Sequence, residues 1–237
     1  MMMPRKRTVI LISGRGSNMT ALIAAASDPD FPAEIVGVIS DKPDAGGLGI
    51  AIARGIPTKV VVRSDHPGKD AHDAAIDAAL TGFGAELVAL AGYMRLLTTP
   101  FVEKWEGKMI NIHPALLPSF KGLDTHRRAL DAGMRIHGCT VHFVTPAMDE
   151  GPVIAQAAVP VMLDDNENSL AARVLKAEHQ IYPMALRLVA EGKARMEDGH
   201  AVFSGFADSD TAAGFVVTAP NPLRTSIDLE QLARITP

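Results

Sequence analysis

Five short apolar runs, separated by stretches of helical character, constrain the fold more than any other feature. "RTVILIS" (7–13) reads as a buried strand and "NMTALIAAAS" (18–27) as a helix. "AEIVGVISD" (33–41) is a second strand, "GGLGIAIARG" (46–55) a second helix closed by Gly55, and "TKVVV" (58–62) a short third strand. "KDAHDAAIDAALTGF" (69–83) reads as a helix with its alanines and leucine on one face. "AELVALAGYM" (85–94) is continuously apolar, as strands buried on both faces of a parallel sheet are. "TPFVEKWEG" (99–107) reads as a short helix and "KMINI" (108–112) as the next strand. This alternation predicts a doubly wound, mostly parallel α/β sheet with helices on both faces.

The pattern then changes. "GCTVHFVT" (138–145) and "PVIAQAAVPV" (152–161) read as two strands with a short connection, an antiparallel pair added to the sheet edge. "NSLAARVLKAEHQIYPMALRLVAEG" (168–192) is a long helix that Pro183 is expected to kink. From about Lys193 the periodicity is weak. One domain over 1–195 is expected, followed by an extension, 196–237, with no assigned role.

Of the 237 residues, 47% are hydrophobic, enough for a sizeable core. The net charge of −4 argues against a general nucleic-acid-binding surface. Cys139 is the single cysteine, so no intrachain disulfide forms, which suits a reducing cytoplasm. The start, "MMMPRKRTVILIS", is basic and then apolar, like a signal peptide. Its apolar run is short, β-branched and closed by a glycine turn, so it reads as the first strand. No apolar stretch is long enough to span a bilayer. A cytoplasmic protein with no membrane partner is expected.

Ligands of open α/β sheets bind at the carboxyl ends of the strands. Three polar groups fall there. "SGRGSN" (13–18) follows the first strand and opens a helix, so the amides of Gly16, Ser17 and Asn18 are placed to hold a phosphate. The plainer alternative is a tight turn with a Ser or Asn cap. A dinucleotide fingerprint fits worse, because Met19 stands at the third glycine position, although Asp41 at the end of the second strand keeps a nicotinamide cofactor open. The second group is "NIHP" (111–114). Asn111 and His113 alternate on a strand and so share a face, and Pro114 and Pro118 stiffen the exit. The third is Asp149 in "TPAMDEGP" (145–152), a turn residue unless it meets His113, whose charged form and tautomer it would then support. His137 and His142 are expected on opposite faces of a strand, and no metal site is expected.

These residues leave the reaction open. "LISGRGSNM", "LAGYMRLL", "NIHPALLPSFKGLDTHRRAL", "HGCTVHFVTPAMDEGPVIAQ" and "AEHQIYP" occur in an order that resembles the phosphoribosylglycinamide formyltransferases, over about residues 7–195. The resemblance implies a Rossmann-like formyltransferase fold and transfer of a formyl group from 10-formyltetrahydrofolate to the amine of glycinamide ribonucleotide, without a metal. It implies Asn111, His113 and Asp149 as the catalytic trio, with Gly16, Ser17, Asn18 and Glu178 on the ribonucleotide. It implies Met94, Arg95, Leu96, Leu97 and Asn111 around the folate. Lys69 stands where some members carry an arginine that meets the folate, and a lysine lacks the planar fork. It also implies a cis peptide at Leu117–Pro118 and a monomer or homodimer.

In that reading the substrate amine attacks the formyl carbon, and Asn111 with protonated His113 stabilises the oxyanion. Asp149 takes the amine proton through water. Formyltetrahydrofolate deformylase would use the same trio on water, and methionyl-tRNA formyltransferase would need an RNA-binding domain that about 40 residues cannot supply. A non-catalytic nucleotide-binding protein of Rossmann-like fold is the reading from another class.

Overall fold

The computed structural model describes residues 4–205. Strands β1 (Lys6–Ile12), β2 (Ala33–Ser40), β3 (Thr58–Val60), β4 (Leu87–Leu90) and β5 (Met109–His113) alternate with helices α1 (Ser17–Ala26), α2 (Gly46–Ala53), α3 (Lys69–Gly82) and α4 (Thr99–Lys104). Then come α5 (Thr125–Asp131), β6 (Ile136–Phe143), β7 (Val153–Pro160), α6 (Glu167–Ala190), β8 (Ala194–Glu197) and β9 (His200–Phe203). The seven-stranded sheet has the order β3-β2-β1-β4-β5-β6-β7. Its first five strands pair in parallel, and β6 and β7 are added antiparallel at one edge. The expected architecture is present, including the antiparallel edge.

The apolar runs are buried on both sides, which is why they alternate so little in polarity. Ile10, Ile12, Ile110, Ile112 and Val141 face one core with α1 and α6, where Met19, Leu22, Val174 and Leu186 pack. Val9, Leu11, Val88, Leu90 and Met109 face a second core with Ile76, Leu80, Phe101 and Trp105 of α3, α4 and the turn after α4. The chain order reverses between β1 and β4, so a crevice opens there at the carboxyl ends.

Several boundaries differ from the sequence pattern. Strand β4 stops at Leu90 rather than running to 94, and Gly92 at φ 72 turns the chain out of the ladder. Strand β6 starts at Ile136, two residues early, because Ile136 and His137 find partners in Pro160 and Val159. Helix α5 had no sequence signal: its seven residues bury only Thr125 and Ala129, too few for an apolar period. Helix α6 is continuous through Pro183 and starts with a capping box between Asn166 and Ser169. Beyond it β8 and β9 form a two-stranded antiparallel sheet that spans the expected boundary at 195. The remainder of the expected extension, 206–237, lies outside the described residues. No described helix is long and apolar enough to cross a membrane.

Candidate active site

The site begins with strand register. Asn111 lies opposite His142, and His113 opposite Thr140, in the antiparallel β5–β6 pair. Opposed residues share a face, and so do residues two apart, so all four side chains line one face. That face continues the one buried under α3 and α4, past the last apolar residue, Met109. Loops rather than helices cover it.

His113 is buried, with Nδ1 3.4 Å from Oδ2 of Asp149. Its Nε2 is 2.9 Å from the carbonyl oxygen of Phe120. Both ring nitrogens therefore face oxygen acceptors, an environment that the doubly protonated imidazolium satisfies on both sides. The same Asp149 oxygen accepts from the Gly122 amide at 2.8 Å. Asp149 thus joins the loop after β6 to the loop after β5, and the meeting with His113 on which its function depended is present.

His142, expected on the face of its strand opposite to His137, lies on that face and belongs to this site. Its Nδ1 donates to the carbonyl oxygen of Phe143 at 2.8 Å, which leaves Nε2 as an acceptor, 3.2 Å from Nδ2 of Asn111. Burial lowers its pKa most, against the raising effects of the Phe143 bond and Asp149, so the ring stays neutral. One N–H of Asn111 is thereby fixed and the other is left for a ligand. His137 points elsewhere, into a cluster with His126 and Phe120.

The exit loop is braced by more than its prolines. Thr140 Oγ1 donates to Ala115 O at 2.6 Å and accepts from the Leu117 amide at 3.0 Å. Gln156 Nε2 donates to Leu117 O and to Thr140 Oγ1. Leu117–Pro118 is cis, as expected. Arg128 of α5 donates to Lys121 O and Leu123 O and lies over the Phe120 ring. Neither Thr140 nor Gln156 carried a sequence signal, because each acts across the fold, and Arg128 carried none because its helix has no apolar period.

The second part of the site is the turn after β1. Gly16, at φ 75, is the residue before α1, and no side chain caps the helix. Ser17 and Asn18 lie inside the first turn, so the simple capping alternative does not hold, and the first-turn amides are free of side-chain caps. Asn18 Nδ2 instead donates to Oε2 of Glu178 on α6 at 2.6 Å. Glu178 is buried, which raises its pKa, and the Asn18 bond opposes the rise. Four of the expected residues, Gly16, Ser17, Asn18 and Glu178, are therefore gathered at one place.

The segment of Met94, Arg95, Leu96 and Leu97 lies between the two parts. Ser13 Oγ accepts from the Met94 amide at 2.9 Å, and Leu90 lies beside Asn111. Met94 and Leu96 expose most of their apolar surface. Arg95 Nε donates to Asp41 Oδ2 at 2.6 Å, so the acid that kept a nicotinamide cofactor open is already engaged. Lys69 is exposed at the start of α3 and makes no hydrogen bond or ion pair among the described residues. Among the described residues no three His, Cys, Asp or Glu are grouped to hold a metal ion.

Buried histidines make the fold acid-sensitive. Burial is the main cause that lowers His126, His142 and His179, and His137 is lowered to about 4. The unfolded chain then binds more protons below about pH 6.5, so stability falls from there toward pH 4. Glu178, raised by burial, works in the opposite direction as one group against four. From its shift alone, His137 is expected to account for a loss on the order of 3 kcal/mol, at about 1.4 kcal/mol per pH unit. Urea unfolding at pH 7, 6, 5 and 4 checks this, and a profile flat to pH 5 would show that the rings charge without cost.

Residues 6–186 match the family model described as "Formyl transferase". The chain is 50% identical over 194 residues to the trifunctional purine biosynthetic protein adenosine-3 of Bos taurus, of whose length it spans 19%. It is 42% identical to the phosphoribosylglycinamide formyltransferase of Escherichia coli, with 83% of this chain and 93% of that one covered. The crystal structure of the phosphoribosylglycinamide formyltransferase from Brucella melitensis superposes with a TM-score of 0.78 at 53% identity, covering 91% of this chain and all of the other. The chain belongs to the formyl transferase family.

Proposed function

We propose that this chain transfers the formyl group of 10-formyltetrahydrofolate to the amine of glycinamide ribonucleotide. The observation that carries the reading is the convergence of Asn111, His113 and Asp149 at the end of β5, with Asn18 and Glu178 at the neighbouring turn. The names of its relatives agree with it.

The amine attacks the formyl carbon, and negative charge gathers on the carbonyl oxygen; as the intermediate collapses, the bond from that carbon to N10 breaks, and tetrahydrofolate leaves with N10 protonated by the proton that the amine lost. The free N–H of Asn111 meets that oxygen. So does the Nε2–H of His113, which exchanges the Phe120 carbonyl for it. Asp149 faces His113 Nδ1 and, through a water, takes the proton that the amine loses. The folate occupies the crevice between Met94–Leu97 and Asn111, and the ribonucleotide phosphate lies on the amides of Gly16, Ser17 and Asn18. Lys69, exposed and without a partner among the described residues, is left for the folate.

Formyl transfer measured side by side with glycinamide ribonucleotide, water and methionyl-tRNA tests the reading. Turnover with the ribonucleotide is expected to dominate. Faster release of formate to water would make the chain a deformylase, and ligand binding without turnover would make it a nucleotide-binding protein.

The acceptor site has its own test. Gly16→Val is unsuitable, because Gly16 is left-handed and a Cβ there would lie 3.0 Å from both Gly47 Cα and Met19 Cε. Asn18→Ala keeps the backbone amide but removes the bond that holds Glu178 in place. Through that loss of one hydrogen bond to a charged group it is expected to raise KM for the ribonucleotide about tenfold, with KM for the folate unchanged. Equal loss of both substrates would assign Asn18 to the fold.

A further inference from the structure

The carboxylate of Asp41 has no part in the chemistry above, and its surroundings call for an explanation. Its side chain is fully excluded from solvent, Oδ2 accepts from Arg95 Nε at 2.6 Å, and Oδ1 has no hydrogen-bond partner among the described residues. Burying a carboxylate with half its acceptor capacity unmet costs more than one pair with a partly exposed arginine returns. For stability alone, an apolar side chain of similar size would serve as well. The neighbouring Tyr93 hydroxyl, also buried and without a partner among the described residues, is held above its ordinary pKa by burial and then by Asp41 and Asp73, and so stays a neutral phenol.

What Asp41 holds is informative. The stretch from Gly92 to Thr98 leaves the sheet after β4 and is fixed at its ends. Ser13 donates to Gly92 O at 3.1 Å and accepts from the Met94 amide, and the Thr98 amide donates to Asp73 Oδ2 at 2.7 Å. Between Met94 and Thr98 Arg95 carries the one polar side chain, and Asp41 is its partner. Asp41 comes from the end of β2, on the far side of β1, so its grip ties this loop to a part of the sheet that Ser13 does not reach.

We propose that Asp41 is a positioning residue: by fixing Arg95 it sets the course of residues 94–97 and so the affinity for the formyl donor, which it does not touch. The inference rests on the assignment of that segment to the folate under Proposed function. A short charge-assisted bond to an acceptor that cannot move is a fixed point, and the same bond to a solvated acid would not be. This accounts for keeping a costly acid in the wall of the crevice.

The test uses the full chain as wild type, Asp41→Asn, Arg95→Met and the double variant. Binding of 10-formyl-5,8-dideazafolate, a stable formyl donor, is measured by calorimetry beside steady-state kinetics and thermal melting. Asp41→Asn is expected to weaken binding of this donor, and raise its KM, by about tenfold. The ribonucleotide KM and kcat at saturating donor should stay within about twofold, and the melting temperature should hold or rise. The double variant should bind the donor no more weakly than Arg95→Met, since both changes remove one interaction. Donor binding unchanged in Asp41→Asn overturns the inference, as does a parallel loss of both substrates with a lowered melting temperature, or additive losses in the double variant. A wild type that does not bind the donor overturns the folate assignment and this inference together. A wild type that binds it while Asp41→Asn is silent overturns the inference alone.

Discussion

Asp149→Asn is expected to lower kcat/KM for formyl transfer by about 10²–10⁴-fold, the usual range for a lost general base, the role proposed for Asp149, and to leave the fold intact. The substitution keeps the shape and removes the charge. Asp149 has φ 54, a left-handed position that asparagine also tolerates, so the backbone is not strained by the change. The amide oxygen of an asparagine can still accept from Gly122, so the bridge between the two loops is retained. What disappears is the anion 3.4 Å from His113 and, with it, the acceptor proposed for the amine proton. Steady-state kinetics with circular dichroism on both proteins checks it, and a loss of less than tenfold would remove Asp149 from the chemistry.

The second large effect belongs to Asn111. Asn111→Ala deletes the proposed neutral oxyanion donor and is expected to lower kcat by about 10²–10³-fold, as the loss of one such donor does elsewhere. The donor KM should change far less, because the interaction forms in the transition state. His142→Ala should give a smaller loss, since that ring only orients the amide through Nε2. Combined with Asn111→Ala it should add little, because both changes act on one hydrogen-bond donor. Independent, multiplying losses would mean that His142 contacts the substrate itself.

The candidate site was unevenly legible. Asn111 and His113 could be paired by eye because a strand repeats every two residues, a rule that needs no tertiary information. Asp149 could only be marked as conditional, because its role depends on two loops meeting. His142 was placed on the correct face, opposite to that of His137, but not in the site. As a strand residue it was read by its own alternation, and its partner is chosen by the register of β5 on β6, which local sequence does not encode. Arg128 was missed with its helix, since α5 takes its place from the loop it braces rather than from an apolar stripe of its own.

What the sequence determined by itself is therefore what depends on near neighbours. The apolar runs, too short for helices and too continuous for a half-exposed sheet, dictated a parallel sheet buried on both faces. The glycines before α1 dictated a turn with open amides, and the Asn-x-His-Pro spacing put two polar groups on one face at a strand end. Tertiary structure decided every pairing across distance: Asn18 with Glu178, Arg95 with Asp41, His113 with Asp149 and Asn111 with His142. The physical reason is that a hydrogen bond or ion pair is specified within a few tenths of an ångström by where two backbones lie. Local patterns fix only which face of an element a side chain occupies, and the packing of the two cores on the sheet brings those faces together.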